Sequence, residues 1–326
     1  MRRLVLAALV ALTALAVPAH AAGQAGSFDR YTYTNDQGSR TYKVFVPPAW
    51  NGRPLPLVVQ LHGCDSDADQ EAKASRLNLL AAQRSVLVVW PEQSSEANGT
   101  RCWNWFHPSH QHRGQGEPSI IAGITAAVQK RWHADPRRTY VGGFSAGAGM
   151  AMNLVAAYPE VYAAGYIKAG CEYLGTTCTG GPGALPPDVS GDLAYDEMGA
   201  RARVVPLLLE HGDLDVTVPS LDSDEIAQSA LRIADRVEEQ AGRATPVSRQ
   251  PARTRTDTSP GGVTSSVKAF TDLHGCPLVE QWLVHGMSHE WSRSETFANG
   301  PDMTARELAF FLGRRLTASG QGCSTR

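Results

Sequence analysis

The chain has 326 residues, 42% of them hydrophobic, with 30 Lys and Arg against 32 Asp and Glu, for a net charge of −2. No basic block is present, which argues against a nucleic-acid partner, since phosphate binding depends on clustered Lys and Arg. The length and apolar content allow a large buried core.

Met1-Arg2-Arg3, an apolar run from Leu4 to Val17 and the small-residue pattern Ala19-His20-Ala21 read as a signal peptide over residues 1–21, which predicts secretion. The apolar run is shorter than the roughly 20 residues a spanning helix needs, so no membrane anchor is expected. Residues 22–326 are expected to form a single domain. Arg40 to Val46 and Leu57 to Leu61 read as strands, and Asp69 to Arg84 as one helix with Ala72, Leu77, Leu80 and Ala81 on one face. Val86 to Trp90 is an uninterrupted apolar run, as in a buried parallel strand. A helix is predicted from Pro118 to Trp132, a strand from Thr139 to Gly142, a helix from Ala146 to Ala157 and a strand from Ala163 to Lys168. Pro206 to Glu210 and Gln281 to Val284 read as strands, with a helix near Asp222 to Gln240 between them and a last one over Thr304 to Leu316. Thr176 to Gly191 and Gly242 to Gly262 look irregular. The alternation predicts an α/β fold, a mostly parallel central sheet with helices on both faces.

The six cysteines read as disulfides in an exported chain. Cys171 and Cys178 enclose a short loop, Cys276 and Cys323 would tie the last strand region to the tail, and Cys64 and Cys102 are then left for each other. No CxxC pair occurs, so structural zinc is not expected. His107, His110 and His112 lie close together without an acidic partner among them, and read as a solvated loop rather than a metal site. No metal and no cofactor are implied.

Gly143-Phe144-Ser145-Ala146-Gly147 fits G-x-S-x-G between a predicted strand and a predicted helix, the context of a nucleophile elbow. A serine hydroxyl is a weak nucleophile and needs a base, an acid to orient that base, and donors for the oxyanion. In an α/β-hydrolase the acid and then the histidine follow the serine in sequence. Asp213 and Asp215, after the strand ending at Glu210, compete for the acid role, with Asp215 favoured. His289 lies in the loop after the last strand and is the better base, while His285 sits at the strand end. The oxyanion donors would be the N–H groups of Ala146, which follows the serine, and Cys64, which follows Leu61-His62-Gly63. Trp103, Trp105 and Trp291 flank these residues and are candidates to line the substrate pocket.

From about Tyr42 to Trp291 the chain resembles the secreted polyhydroxyalkanoate (PHB) depolymerase and feruloyl esterase group of α/β-hydrolases. The resemblance rests on Leu61-His62-Gly63-Cys64, Cys102-Trp103-Asn104-Trp105, Arg113-Gly114-Gln115-Gly116-Glu117-Pro118, the serine elbow, His211-Gly212 with Asp215 and Val218-Pro219, and Gly286-Met287-Ser288-His289 with Trp291. It implies Asp215 over Asp213, His289 over His285, and the Cys64 to Cys102 bridge. Ser288 stands where such proteins usually have glycine, and Ala169-Gly170-Cys171-Glu172-Tyr173 also departs from their pattern. The resemblance implies a serine esterase acting on short-chain hydroxyalkanoate polyester or its oligomers; a secreted monomer is expected, without the appended substrate-binding domain that polymer depolymerases of this kind often carry. Feruloyl or acetylxylan esters are the alternative substrates. A noncatalytic surface-binding protein on the same fold is the distant alternative.

Overall fold

Alternating inward-facing side chains on both sides of the strands dictate a sheet covered twice over. A computed structural model of the chain describes residues 26–175, 178, 185–243, 245–272 and 274–317. Its elements run β1 (Ser27–Asn35), β2 (Gly38–Val46), β3 (Leu55–Leu61), α1 (Ala68–Ser75), α2 (Leu77–Arg84), β4 (Leu87–Pro91), α3 (Gly116–Trp132), β5 (Ala134–Phe144), α4 (Ala146–Ala157), β6 (Gly165–Lys168), α5 (Pro187–Met198), β7 (Leu207–Gly212), α6 (Leu221–Gln240), β8 (Arg253–Thr258), β9 (Thr264–Thr271), β10 (Pro277–Val284) and α7 (Met303–Leu312). The strands form one sheet in the order β1-β2-β4-β3-β5-β6-β7-β10-β9-β8. From β4 to β10 the neighbours are parallel, and the pairs at either edge are antiparallel.

Successive residues of a strand point to opposite faces, and the core divides accordingly. Leu57, Val59, Leu87, Val89, Val141, Leu207 and Leu209 pack with α3, α4, α5 and α6 on one face. Val58, Val88, Tyr140 and Leu208 pack with α1, α2 and α7 on the other. The central strands are buried on both faces, as the continuous apolar runs of the sequence require. This is the mostly parallel, two-sided sheet that the sequence pattern predicts.

Four local expectations need correction. The single helix predicted over Asp69 to Arg84 is two, broken at Arg76, which has φ 60°. Ser75 Oγ donates to the Glu71 carbonyl and accepts from Leu77 N–H, so a local bond replaces the helical ladder there. Strand β1 was not anticipated; its SFDRYTYTN sequence is largely polar and covers an edge. Strands β8 and β9 were also missed: β8 is polar, forms the opposite edge and falls inside the stretch read as irregular, and β9 lies between it and β10 with Ser, Thr and Lys interrupting its apolar residues. Helix α5 likewise begins within the Gly- and Pro-rich stretch, with Pro at its start. The proposed signal peptide lies outside the described residues, as does Cys323 with the pairing suggested for it. No helix among the described residues is long and apolar enough to cross a membrane.

Candidate active site

Strand β5 ends at Phe144 and α4 begins at Ala146, which leaves Ser145 alone at the turn with φ 56° and ψ −122°. A non-glycine residue in this region carries strain of about 1–3 kcal/mol, held here by surrounding bonds. Ser145 N–H donates to the Lys168 carbonyl at 3.0 Å, and the N–H groups of Ala148 and Gly149 donate to the Ser145 carbonyl at 2.9 and 3.1 Å. The flanking glycines are dictated by space. A Cβ on Gly143 would lie 2.2 Å from the Gly147 carbonyl oxygen, and one on Gly147 would lie 2.4 Å from that of Leu61.

The loops after β7 and β10 meet this turn from the carboxyl edge of the sheet, where open α/β sheets hold their sites. His289 Nε2 lies 2.9 Å from Ser145 Oγ, and His289 Nδ1 lies 2.7 Å from Asp215 Oδ2. Asp215 is buried, and its other oxygen accepts from the N–H groups of Thr217 and Val218, both at 2.9 Å. Burial alone would raise its pKa, but hydrogen bonds from His211, His289 and the Val218 N–H hold the carboxyl well below the usual carboxylate range. The competing pair is occupied elsewhere. Asp213 bonds His285 Nδ1 at 2.8 Å and the Gly286 N–H at 2.7 Å, a clasp between the two loops.

The Leu61-His62-Gly63-Cys64 loop runs beside the nucleophile, so that a Cβ on Gly63 would lie 3.5 Å from Ser145 Cβ. His62 is pinned on both nitrogens, its Nδ1 to the Gly63 carbonyl at 2.6 Å and its Nε2 by the Gln93 N–H at 2.9 Å. Burial pushes its pKa down to about 4, so it serves this loop as a neutral ring. The Cys64–Cys102 disulfide joins the loop to residues 102–105. Those residues are anchored in turn by buried Glu117, which accepts from Asn104 N–H and Asn104 Nδ2, both at 2.8 Å, and from Arg40 at 3.0 Å. The Arg113-to-Pro118 motif is thus a strut for the loop opposite. Ala146 begins α4, so its N–H belongs to the first turn, where helices leave donors without intrahelical partners.

The tryptophans divide. Trp103 and Trp291, expected to line the pocket, are 0% and 4% exposed and offer a substrate almost no surface. Trp103 packs on His62, and Trp291 packs on Phe144 and Tyr166. Trp105 is half-buried, packs against Val218 and the Cys171–Cys178 disulfide, and meets Phe106 edge to face. His107, His110 and His112 turn to separate partners: Ser109, the Glu117 N–H and Glu197. Among the described residues no group of three or more His, Cys, Asp or Glu is arranged to hold a metal.

Sequence reasoning passed over two buried acids near the site. Glu210 pairs with Lys168 at 2.9 Å and accepts from Tyr166, directly under the turn that carries Ser145. The other is Glu71, buried where it accepts from the Gly63 backbone N–H and the Trp291 indole N–H.

Residues 40–182 match the family described as Esterase PHB depolymerase. Poly(3-hydroxyalkanoate) depolymerase C of Paucimonas lemoignei is 31% identical over 242 residues, 72% of this chain and 54% of that protein, so the chain spans about half that relative's length. Acetylxylan esterase A of Aspergillus oryzae is 29% identical over 214 residues, 60% of this chain and 67% of that protein. Among solved structures, an acetyl xylan esterase from Aspergillus awamori aligns with a TM-score of 0.71 at 18% identity, covering 88% of this chain and 99% of that one, a likeness of fold. Residues 40–182 of this chain are thus similar to the PHB depolymerase family of esterases, and the whole is set in an α/β-hydrolase fold.

Proposed function

We propose that the chain is a carboxylic ester hydrolase working through an acyl-enzyme on Ser145. The observation that carries this reading is His289 bridging Ser145 Oγ and Asp215. With Nδ1–H donated to the carboxylate, Nε2 keeps its lone pair and accepts the serine proton as Oγ attacks the ester carbonyl carbon. The N–H groups of Cys64 and Ala146 hold the oxyanion. The alcohol leaves with the proton from His289, and water then releases the acyl group by the same route. No cofactor enters this cycle, and it needs only one copy of the chain.

The proposed substrate is a short-chain hydroxyalkanoate polyester or its oligomers. Likeness to the Paucimonas depolymerase supports it, and so does the loop around Asp215, where Leu214 is 60% and Val216 94% exposed. Apolar side chains at that rim suit a polyester better than a hydrated polysaccharide. The second reading, an acetyl or feruloyl ester on plant polysaccharide, draws support from the acetylxylan esterase relative. Purified protein and its Ser145→Ala variant, assayed on 3-hydroxybutyrate oligomers, acetylated xylan and methyl ferulate, test both. Oligomer cleavage by the parent alone is expected. Equal cleavage by Ser145→Ala refutes the mechanism, and acetate or ferulate release without oligomer cleavage transfers the substrate to the second reading. Secretion belongs to the same proposal. Disulfides persist in oxidising compartments, and N-terminal sequencing of protein from culture medium is expected to begin near residue 22.

A further inference from the structure

Glu71 lies on α1, outside every sequence motif of the site, and faces inward with 4% exposure. Its Oε1 accepts from the Gly63 N–H at 3.2 Å, and its Oε2 accepts from the Trp291 indole N–H at 2.5 Å. Gly63 directly precedes Cys64, a proposed oxyanion donor, and Trp291 follows His289 by two residues. One carboxylate thus ties the loop carrying the oxyanion donor to the loop carrying the base, 220 residues away from it in sequence. The Trp291 ring also packs on Phe144 at 5.6 Å, and Phe144 packs on His289 at 4.7 Å. The clamp therefore reaches the residue before the nucleophile as well.

Burying a carboxylate is unfavourable unless donors surround it, and an apolar residue would fill the same space without that cost. What an apolar residue could not do is accept two N–H bonds from two different loops. Only the ionised carboxylate presents two acceptors; an amide of the same shape turns a donor toward one of those N–H groups.

We propose that Glu71 is a positioning residue for the ester hydrolysis described above: without touching substrate, it sets the distance between the oxyanion donor and the His289–Ser145 pair. The inference rests on that reading of the site. The test uses the full chain with p-nitrophenyl butyrate and the variants Ser145→Ala, Glu71→Gln, Trp291→Phe and the double Glu71→Gln/Trp291→Phe. Loss of turnover in Ser145→Ala establishes the serine chemistry independently of Glu71. Glu71→Gln is then expected to lower kcat by roughly 10²-fold, the order expected when a donor is displaced, with KM little changed. Trp291→Phe is expected to lower kcat less. In the double variant the amide oxygen is free to accept from Gly63, so it is expected to be faster than Glu71→Gln alone, a rescue that a merely structural role does not produce. An unchanged kcat in folded Glu71→Gln, or a double variant no faster than it, overturns the proposal while leaving the serine mechanism standing. Should Glu71→Gln not fold, Trp291→Phe decides: an unchanged kcat there also overturns it.

Discussion

Replacing Asp215 by asparagine changes one atom and inverts the direction of one hydrogen bond. In the parent, Asp215 Oδ1 accepts from Thr217 and Val218 at 2.9 Å, and Oδ2 faces His289 Nδ1 at 2.7 Å. The amide oxygen of the substituted side chain can keep the two backbone bonds, so its NH2 group faces His289 and donates to Nδ1. The imidazole proton then resides on Nε2, 2.9 Å from Ser145 Oγ, and no acceptor remains for the serine proton. That wrong tautomer costs about 10⁴ in kcat in serine proteases, or about 5 kcal/mol of barrier. The amide keeps the two backbone bonds but loses the stability that the ionised carboxylate contributes, so a lowered melting temperature is expected and kcat is read on protein shown to be folded. Pre-steady-state acylation by p-nitrophenyl butyrate reads the effect directly, as a slowed burst with little change in substrate affinity. A folded Asp215→Asn protein acylating within tenfold of the parent refutes the reasoning. The depressed pKa of Asp215 adds a pH statement. Its folded value lies below the unfolded one of about 3.9, so the stability it contributes is present above about pH 4 and is lost as pH falls through the folded value. Activity between pH 5 and 8 is therefore not expected to report its titration.

Three further outcomes are expected. Lys168→Met leaves buried Glu210 without its cation, which predicts a loss of about 3–5 kcal/mol in urea unfolding; a change below about 1 kcal/mol contradicts the pairing. Gly147→Ala places a methyl group 2.4 and 2.5 Å from the carbonyl oxygens of Leu61 and His62, so kcat is expected to fall by roughly 10²-fold as the oxyanion loop is displaced, and an unchanged kcat counts against that packing. Burial, with Glu172, Glu225 and Asp215 around it, raises the Asp222 pKa to about 7, so its proton is bound more tightly in the folded state. Stability from this group is complete below about pH 4 and declines as pH rises to 7, and Asp222→Asn is expected to melt near the parent at pH 4 and above it at pH 8. Melting curves with a constant difference across that range contradict this.

The sequence made the architecture legible where burial is two-sided. Leu57 to Leu61 and Val86 to Trp90 are apolar with little interruption, and Ala146 to Ala157 matches α4 at both ends because the elbow fixes its start. Edge strands were opaque, since β8 reads RTRTDT, buries none of its residues and so carries no apolar alternation to mark it as a strand. The break at Arg76 was opaque for another reason: apolar spacing continues through it, and only the local bonding of Ser75 interrupts the helix. Within the site, Ser145, Asp215 and His289 had motif support. Asp213 and His285 separate from them in space because they bond each other across the two loops. Glu71 gave no signal, since an acid in the first turn of a helix ordinarily faces solvent and favours the helix dipole. The burial of Trp103 and Trp291 was equally hidden, because an aromatic beside a motif reads the same whether its ring meets substrate or core.

Whether Ser145 is a nucleophile activated by His289 is tested most directly by a fluorophosphonate probe followed by peptide mass spectrometry. Stoichiometric adduct on the peptide carrying Ser145, abolished in His289→Ala, is the predicted result. A folded, unmodified parent protein, or an adduct on another residue, contradicts the account.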